Sequence, residues 1–461
     1  MNSGHDILIV GAGPAGMAAA IELRRLGLMP LVVDEQPRPG GQIWRDVERQ
    51  RPDVLRRALG PDYAAGADMV ARFRASGAEY RPGTRMWHIE RGLRVFLSQD
   101  GQAFLAEPRA LVLATGAQER PAPLPGWTLP GVMTVGAAQI LMKGSGQIPD
   151  RPVWIAGSGP LPILYMRQLL AAGGQIAGYL DTTPAGAARR ALPQIGGALR
   201  GWGDLRKGLG WLRDLRAAGL RLQRGIRDLA AEGETRLEAI CYRTADGRSH
   251  RVAADLLLVH EGVVPSVHAT LSVEAPHVWD AGQGALRPVL DDWGMTGIDG
   301  LFVAGDGAGI AGARAAVARG RLAAQGIAAR LGRPATADAI AATRAELRAA
   351  TAARGFLDAV YPPPDTPIAD DTIVCRCEEL TAGEIRAAAR IHRGGPNQVK
   401  AVTRCGMGPC QGRQCGYTVN RLLAETYGQT PAETGFFRIR PPLRPVTLRE
   451  LAALEEGREA P

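Results

Sequence analysis

The sequence predicts an α/β fold with two parallel-sheet units and a small third domain, because one pattern occurs twice and most cysteines lie together near the end. The repeated pattern is an apolar strand, a glycine-containing turn, a helix, and a second apolar strand that ends on an acid. It begins at Ile7 and again at Val153, and five of the six cysteines lie between Cys375 and Cys415. Such units place both strands in one parallel sheet. We therefore expect two Rossmann-like dinucleotide-binding units and a mainly helical, cysteine-bearing domain.

The composition is that of a folded protein, and it disfavours nucleic-acid binding. The chain has 461 residues, of which 46% are hydrophobic, so it can form two or three domains. Its net charge of +9 comes mainly from scattered arginines, because the only lysines are Lys143, Lys207 and Lys400. Proteins that bind nucleic acids concentrate basic charge on one face and interleave it with aromatic residues.

The N-terminal region and the cysteine usage predict a cytoplasmic protein without a membrane span. The first six residues lack the basic region of a secretory signal. The apolar run from Ile7 to Ile21 is broken by glycines and a proline, and it is shorter than the roughly 20 residues of a spanning helix. A secreted disulfide scaffold would distribute its cysteines along the chain, whereas here only Cys241 lies outside the late group.

The first unit contains a glycine pattern that suits a diphosphate. Strand Ile7–Val10 leads into Gly11-x-Gly13-x-x-Gly16, and a helix is predicted from Pro14 to Leu26. The first glycine permits a tight turn, the second lets backbone amides approach the pyrophosphate, and the third lets the helix pack on the sheet. The unpaired N–H groups at the start of the helix then face the diphosphate.

An acidic residue completes this unit at the end of its second strand, Leu31–Val33. Asp34 follows Gly16 after 17 intervening residues, and Glu35 is the neighbouring alternative. A carboxylate at this position accepts the ribose hydroxyls of an adenosine. The order of strand, glycines, helix, strand and acid makes a dinucleotide site the preferred interpretation over an ordinary turn.

Three further segments resemble those of the flavoproteins related to glutathione and thioredoxin reductases. They are Gly40-Gly41-Gln42, Leu113-Ala114-Thr115-Gly116 and Val303-Ala304-Gly305-Asp306. The resemblance implies that the first site binds FAD rather than NAD, with Asp306 on the ribityl chain. The predicted FAD-binding residues are Gly11, Gly13, Pro14, Ala15, Gly16, Asp34, Glu35, Gly41, Gln42, Thr115, Gly116 and Asp306.

Two features depart from those reductases. The flavoprotein body lacks a Cys-x-x-Cys pair, which excludes disulfide reductase chemistry, and Cys241 is interpreted as a structural thiol. The second glycine turn reads Gly157-x-Gly159-x-x-Pro162, with proline where close packing requires glycine. Asp181 follows the second strand of this unit and could accept a ribose, so NAD(P) binding stays open beside a retained fold without a ligand.

The late cysteines predict a metal centre. They read Cys375-x-Cys377 and Cys405-x4-Cys410-x4-Cys415, and five thiols so close together in a cytoplasmic protein favour metal over disulfides. Zinc sites usually contain Cys-x2-4-Cys pairs, so a [2Fe-2S] cluster is preferred over zinc. Beside a flavin, such a cluster would carry single electrons.

The motif Gly406-Met407-Gly408-Pro409-Cys410-Gln411-Gly412-x-x-Cys415 resembles the [2Fe-2S] domain of the bacterioferritin-associated ferredoxin type. That family holds its cluster with one Cys-x-Cys pair and one later pair. The resemblance implies Cys375, Cys377, Cys410 and Cys415 as ligands and leaves Cys405 as a nearby spare thiol. Whether Cys405 replaces one of the four stays open.

The predicted domains follow from these units and from the proline-rich segment near residue 362. An FAD-binding domain begins the chain, a second dinucleotide-type domain interrupts it, and a helical connector leads to the [2Fe-2S] domain and a C-terminal tail. The predicted boundaries are 1–150, 151–280, 281–335 (the return to the FAD-binding domain), 336–370, 371–430 and 431–461.

The whole chain resembles the large (α) components of heteromeric amine and amino-acid dehydrogenases, which include opine oxidases, hydrogen cyanide synthase, and proline and hydroxyproline dehydrogenases. His260-Glu261-Gly262-Val263-Val264-Pro265 strengthens the match. The resemblance implies a hetero-oligomer with an FAD-dependent β subunit of the glycine/D-amino-acid-oxidase type, which oxidises the substrate, and it admits a small ferredoxin-like γ subunit. This chain would then transfer electrons.

Two alternatives remain, a self-sufficient NAD(P)H-dependent reductase and an assembly subunit that holds an adenine nucleotide without a redox role. No acid–base or nucleophilic constellation is evident, so we predict no catalytic residue. Adjacent residues of a strand point to opposite faces, which favours a structural or interface role for His260 and Glu261 over a catalytic pair.

Overall fold

The computed structural model describes residues 5–220 and 222–456, and the part that precedes the second glycine turn contains several short strands. The predicted strand, helix and strand at its start are confirmed within two residues. Its elements are β1 (Ile7–Val10), α1 (Pro14–Arg25), β2 (Pro30–Asp34), α2 (Asp53–Leu59), α3 (Pro61–Ala75), β3 (Glu79–Pro82), β4 (Arg85–Glu90), β5 (Arg94–Gln99), β6 (Gln102–Ala106), β7 (Ala110–Leu113), β8 (Ala117–Glu119), β9 (Val132–Thr134) and α4 (Val135–Gly144).

The second unit has the same plan, with a helical excursion (α6 to α8) and a three-stranded antiparallel sheet added to it. Its elements are β10 (Val153–Ser158), α5 (Pro160–Ala171), β11 (Ile176–Asp181), α6 (Ala187–Arg190), α7 (Ile195–Arg200), α8 (Trp202–Ala217), β12 (Leu222–Arg224), β13 (Arg227–Glu232), β14 (Ala239–Arg243), β15 (Ser249–Ala253), β16 (Leu257–Glu261) and β17 (Val263–Pro265).

The remaining elements return to the first sheet and then form the connector, the cysteine-bearing domain and the tail. They are α9 (His268–Ser272), β18 (His277–Asp280), β19 (Ala285–Pro288), β20 (Leu301–Val303), α10 (Ala313–Arg330), α11 (Ala337–Thr351), α12 (Arg354–Val360), β21 (Ile373–Cys375), β22 (Leu380–Thr381), α13 (Ala382–Ile391), α14 (Pro396–Thr403), α15 (Gly416–Tyr427), α16 (Pro431–Thr434) and α17 (Leu448–Glu456).

Two five-stranded sheets organise the body. The first has the order β20–β7–β1–β2–β3, and the second has the order β12–β11–β10–β16–β9. All of β1, and all of β10 except Trp154, is buried, as expected where helices cover both faces of a parallel sheet. Since β20 pairs with β7, the chain returns to the first sheet after completing the second. The predicted α/β fold with two Rossmann-like units is thereby confirmed.

Helices α1 and α10 pack unusually closely because their contact surfaces are rich in alanine and glycine. A side chain added at Gly320 would place its Cβ 2.1 Å from the backbone oxygen of Ala15. This packing brings the start of α10, which follows Asp306, beside the start of α1, which follows the glycine turn. The two segments that the sequence assigns to one cofactor therefore lie together.

The cysteine-bearing domain shares its core with the first unit. One buried cluster contains Leu8 and Leu111 from the first sheet, Val374 and Val419 from the cysteine-bearing domain, and Leu443 from the tail. The tail also pairs its Leu443 amide with the Trp87 oxygen at 2.6 Å. The tail therefore packs on the body, although its residues 457–461, part of the predicted 431–461 segment, lie outside the described residues. The domain boundaries remain a prediction.

None of the described helices is long and apolar enough to cross a membrane.

Candidate functional site

The first glycine turn is a cradle that side chains would fill. An added Cβ at Gly16 would lie 1.8 Å from the Gly11 oxygen, and one at Gly11 would lie 2.5 Å from the Ala114 oxygen. Gly41 comes from another loop, and its added Cβ would lie 2.9 Å from the Gly13 Cα. Three segments of backbone therefore meet around the start of α1 without intervening side chains, which leaves their amides open to a ligand.

The start of α1 offers donors to that ligand. Gly13 is its N-cap and makes no side-chain capping bond, while Pro14 occupies the first helical position. The amides of Ala15 and Gly16 belong to the first turn, where N–H groups have no partner within the helix. A 12-residue helix also directs its positive dipole end to this point. The arrangement suits a diphosphate.

Asp34 stands at the end of β2 and is held by two backbone amides. Its Oδ2 accepts from the Ala12 amide at 2.6 Å, and its Oδ1 accepts from the Gln36 amide at 2.7 Å. Burial raises the pKa of this carboxyl, while the two hydrogen bonds oppose the rise. A carboxylate has about four acceptor positions, so each oxygen keeps one for a ribose hydroxyl.

Glu35 has a different environment from Asp34. Its Oε1 lies 3.3 Å from Nη2 of Arg444, in the C-terminal tail, and both side chains are about 40% exposed. The tail thus lies over the edge of the crevice at which Asp34 would hold an adenosine. No sequence pattern predicted this contact, because the two residues are 409 positions apart.

Gly116, which follows Thr115, lies beside the segment that carries Asp306. Gly307, next to Asp306, would place an added Cβ 3.5 Å from the Gly116 oxygen. Oδ1 of Asp306 accepts from the amides of Ala311 and Gly312 at 2.9 and 3.0 Å. The predicted ribityl carboxylate is therefore fixed at the start of α10.

Lys143 is a candidate site residue that the sequence analysis did not single out. Its ammonium lies 3.2 Å from the backbone oxygen of Gln42 and 2.9 Å from Oε1 of Gln139, and the side chain is buried. Burial, with a smaller contribution from Arg45, lowers the pKa of Lys143 to about 7. The only feature of the sequence that singles out Lys143 is that lysine is rare in this arginine-rich chain.

These residues fit the ADP and ribityl parts of FAD. Glycines leave the start of α1 accessible, Asp34 retains acceptors for a ribose, and Asp306 lies beside Gly116 at the far end. The predicted FAD-binding residues thus lie mostly on the loops around the starts of α1 and α10, which pack against each other. Glu35 is the exception, because its carboxylate is paired with the tail.

The second glycine turn is crowded by the chain's own side chains. The His260 ring lies 3.7 Å from where a Cβ of Gly159 would be, and Nδ1 of His260 lies 2.5 Å from Oε1 of Glu119. The hydroxyl of Tyr179 donates to the Gly157 oxygen at 2.9 Å. Helix α5 also begins Pro160-Leu161-Pro162, so two of its first three residues have no N–H to offer.

Glu261 lies next to His260 but faces different partners. Its Oε1 accepts from the Thr182 hydroxyl at 2.8 Å, and desolvation raises the pKa of its carboxyl to about 7. It borders a cavity of about 550 Å³ between the second unit and the cysteine-bearing domain, which Arg120 and Tyr417 also line. His260 and Glu261 therefore do not form a pair.

Three of the late thiols form a buried group. The Sγ atoms of Cys375, Cys405 and Cys415 all lie within 4.8 Å of one another, and each residue is at most 1% exposed. Hydrogen bonds from the thiols of Cys405 and Cys415 lower the pKa of Cys375 to about 2. The group therefore stabilises a thiolate, which is the form of cysteine that binds a metal.

The other two thiols lie at the outer side of the same site. The side chains of Cys377 and Cys410 are within hydrogen-bonding reach of each other, and Cys377 is exposed. The five thiols thus divide into an inner group and an outer pair. A [2Fe-2S] cluster would take four thiolates, so one of the three inner thiols would be extra.

The thiol-bearing loop is attached to the flavoprotein body. Gln118 donates from its side chain to the Arg413 oxygen at 2.8 Å, and Trp127 donates from its indole to the Ile373 oxygen at 2.7 Å. Gln118 follows Gly116 by two residues, so the loop between Cys410 and Cys415 is connected directly to the strand that leaves the first crevice.

Comparisons with known proteins agree with this division. Residues 5–164 match the family described as pyridine nucleotide-disulphide oxidoreductase, and residues 373–425 match the BFD-like [2Fe-2S] binding domain. The first match contains the glycine turn of the first unit. The second contains all five late cysteines.

Similar proteins extend the match to the full length. The chain is 45% identical to the A subunit of opine oxidase from Rhizobium meliloti (strain 1021), over 98% of this chain and 99% of that protein. It is 33% identical to the hydrogen cyanide synthase component HcnB of Pseudomonas aeruginosa, over 95% of this chain and 96% of that protein. The alpha subunit of sarcosine oxidase from Rhizobium meliloti is 26% identical, over 98% of this chain and 43% of that protein.

Two solved structures have the same fold. L-proline dehydrogenase from P. horikoshii aligns with a TM-score of 0.70 at 19% identity, over 97% of this chain and 79% of that chain. Thioredoxin reductase of T. acidophilum aligns with a TM-score of 0.51 at 16% identity, over 71% of this chain and 98% of that chain. Identities this low support the fold alone.

Fold, sites and similar proteins together define the class, which is an oxidoreductase subunit with an FAD-binding redox domain and a [2Fe-2S] domain. Its relatives are named as subunits of larger enzymes, which supports a hetero-oligomer. Within this class, the chain belongs to the family formed by the A subunits of opine oxidases.

Proposed function

We propose that this chain is the electron-transfer subunit of a heteromeric dehydrogenase or oxidase, and that a partner β subunit with its own FAD oxidises the substrate. The partner would be of the glycine/D-amino-acid-oxidase type, and the substrate an amino acid, an opine or a related secondary amine. The names of the similar opine oxidase subunits support this substrate class. The proposal also includes a small ferredoxin-like γ subunit and places the complex in the cytoplasm.

One observation carries the proposal: the first glycine turn is free of side chains, whereas His260 lies against the second. In two-dinucleotide-binding reductases the second unit receives the nicotinamide. Here the His260 ring lies against the second glycine turn, and the two prolines of α5 remove donors from it. Electrons must therefore reach the first site by another route, and a partner subunit supplies one.

The residues assigned to the two cofactors have distinct tasks. Gly11, Gly13 and Gly16 admit the diphosphate, Asp34 holds the ribose, and Asp306 holds the ribityl chain. When bound, FAD supplies two-electron chemistry and a [2Fe-2S] cluster supplies one-electron chemistry, so together they convert a two-electron oxidation into single-electron steps. The loop from Cys410 to Cys415 keeps the thiols attached to the body through Gln118.

We further propose that Cys375, Cys377, Cys410 and Cys415 hold the cluster and that Cys405 does not. The contact between Cys377 and Cys410 supports the outer pair. Within the inner group of Cys375, Cys405 and Cys415, the choice of Cys375 and Cys415 rests on the motif shared with the bacterioferritin-associated ferredoxin type. Replacing any of the four by serine removes a thiolate, so we expect loss of most of the iron and of the visible absorption of the cluster. Cys405→Ser is expected to keep both, as is the distant control Cys241→Ser.

The measurement is iron content together with the electron paramagnetic resonance spectrum of the reduced protein, on each purified variant. Retention of the cluster in one of the four variants, combined with its loss in Cys405→Ser, would assign Cys405 as a ligand instead.

The source of electrons is tested by stopped-flow reduction of the flavin. We expect neither NADH nor NADPH to reduce the flavin of the isolated chain on the timescale of turnover, and we expect the substrate to reduce it only in the complex with the β subunit. Rapid bleaching by NADH would establish the reductase alternative. A chain that is purified without any flavin absorbance would instead support the assembly-subunit alternative.

A further inference from the structure

The helical excursion of the second unit exposes large apolar side chains. Leu192, Ile195, Leu199, Trp202 and Leu209 are between 45% and 62% exposed, and they are five of the 15 large hydrophobic residues that are exposed in the described part of the chain. They lie within 18 consecutive residues. Isolated exposed apolar residues are normal on a protein surface, but a concentration such as this marks an interaction site. We name Ile195, Leu199 and Trp202 the outer stripe.

The opposite side of the same segment is made of small residues that pack tightly. An added Cβ at Gly197 would lie 2.5 Å from the Ala352 oxygen, and one at Gly201 would lie 2.6 Å from the Ala353 Cβ. Ala198 is fully buried. A helix that only needed to cover a core would place its large apolar residues inward. Here the small residues face inward and the large ones outward, so the segment is built to present the outer stripe.

The outer stripe lies beside the flavin end of the first crevice. Asp204, two residues after Trp202, is 3.8 Å from Arg314, the second residue of α10. The amide of Gly312, just before that helix, donates to Asp306. A second connection joins α12 to the segment just before α10. The side chain of Gln283 lies 3.4 Å from Asp358 in α12, and it donates to the Ile310 oxygen.

The charges around the stripe are basic. Arg189, Arg190, Arg200 and Arg206 flank it, and none of them has an acidic partner within 4.0 Å among the described residues. The nearest acid in sequence, Asp204, is engaged by Arg314. A surface with a central tryptophan, aliphatic neighbours and an arginine rim has the composition of a protein–protein interface.

We propose that the outer stripe is the docking surface for the flavin-bearing subunit of the complex, with an apolar patch to receive Trp202 and an acidic rim to meet the arginines. This inference rests on the proposed function, because it assigns the place at which the partner meets this chain. Docking here brings the partner to the edge of the crevice that holds Asp306, and therefore keeps the transfer distance between the two flavins short.

A lipid surface is the main competing occupant, since exposed leucine, tryptophan and arginine also occur in interfacial helices. The geometry disfavours it. Leu215 of α8 is buried, and Trp211 and Leu212 pack against the core of the second unit. The apolar face is therefore exposed only over the first part of the excursion, whereas a helix lying in a membrane exposes its apolar face throughout.

The test compares Leu199→Glu and Trp202→Glu with Ile391→Glu, which carries the same change at a residue that is 75% exposed on the cysteine-bearing domain. Each full-length variant and the flavoprotein partner are expressed and purified separately, and the affinity between them is measured by titration. We expect binding at least tenfold weaker for the first two variants and unchanged for Ile391→Glu. Flavin content, iron content and melting temperature of the isolated chains should stay at wild-type values, because all three residues are exposed.

The outcomes separate this inference from the proposed function. If the wild-type chain binds no flavoprotein partner, and if substrate never reduces its flavin, the proposed function fails. If the complex forms and both stripe variants bind as tightly as wild type, only the docking surface is wrong. Trp202-dependent binding to vesicles with 30% phosphatidylglycerol, without an effect on the complex, would assign the stripe to lipid and overturn the inference, as would Trp202-dependent self-association.

Discussion

The two dinucleotide-type units of this chain are built on the same plan, and the difference between them lies in a few side chains at equivalent positions. In the first, Val10 pairs with Leu113, which brings Gly11 opposite Ala114. In the second, Gly157 pairs with His260. The small Ala-Thr-Gly sequence at the end of the first sheet is therefore replaced by His-Glu-Gly in the second.

This replacement is the main difference between the two glycine turns. The small side chain of Ala114 leaves room beside the first glycine turn, whereas the His260 ring lies against the second turn and is held there by Glu119. The starts of the two helices also differ in how many N–H donors they offer a ligand. The first turn of α1 has one proline, and that of α5 has two. A fold can thus be kept for its packing after its crevice has been filled.

The largest expected effect comes from narrowing the first crevice. Gly16→Ala adds a Cβ that would lie 1.8 Å from the Gly11 oxygen, so either the turn or α1 must shift. We expect flavin binding at least 100-fold weaker and a loss of several kcal/mol of stability, since overpacking alone costs about 1–3 kcal/mol. Flavin fluorescence titration and thermal unfolding measure the two effects.

The matched control is Gly208→Ala in α8, where nothing lies within 4 Å of the added Cβ. Alanine favours a helix over glycine by roughly 1 kcal/mol, so this variant should be as stable as wild type or slightly more so and should bind flavin normally. Equal flavin loss in the two variants would contradict the role of Gly16.

An intermediate effect is expected from exchanging the acids that end the second strands of the two units. Asp34→Asn removes a charged acceptor from the first crevice, and hydrogen bonds to charged groups contribute about 1.5–3 kcal/mol. We expect at least tenfold weaker flavin binding. Asp181→Asn makes the same change in the second unit and should leave the flavin affinity unaltered. If both variants lose flavin equally, the two crevices do not differ as the side chains indicate.

The smallest effect concerns stability and pH at the filled crevice. The pKa of Glu261 is raised to about 7 in the folded chain, above its value of 4.5 when exposed. The folded state therefore binds this proton more tightly, so the stabilisation is fully present below pH 4.5 and is lost as the pH rises through 7. Because the carboxyl borders a cavity that water can enter, we expect a loss on the order of 1 kcal/mol.

Glu261→Gln keeps the shape and removes the titration. We expect the free energy of unfolding of this variant, measured with a denaturant, to fall less between pH 5 and pH 8 than that of the wild-type protein. A wild-type protein with the same pH dependence as Glu261→Gln would show that Glu261 is already charged at pH 5.

Features with a local signal could be predicted from the sequence. The strand at Ile7–Val10 and the helix from Pro14 were predictable because apolar periodicity and glycine spacing are properties of neighbouring residues. The proline at position 162 and the grouping of five thiols were evident for the same reason. The predicted FAD and [2Fe-2S] cofactors agree with the matched families, while the individual ligands remain proposals.

Contacts between distant residues had no such signal. The second glycine turn indicated a missing glycine, but it did not indicate that Glu119, 141 positions away, would hold His260 in the crevice. The contact of Lys143 with Gln42, and that of Cys405 with Cys375, likewise could not be predicted. In each case the partner lies on another element, and only the packing of those elements brings the atoms within reach.

The sequence by itself determined the α/β class, the two strand–turn–helix–strand units, the open glycine turn of the first, and a late thiol centre, because short-range spacing encodes each of them. The tertiary structure decided which crevice is filled, how the thiols divide into inner and outer groups, and that Ile195, Leu199 and Trp202 face outward. These depend on which surfaces pack together, and burial is a property of the folded chain as a whole.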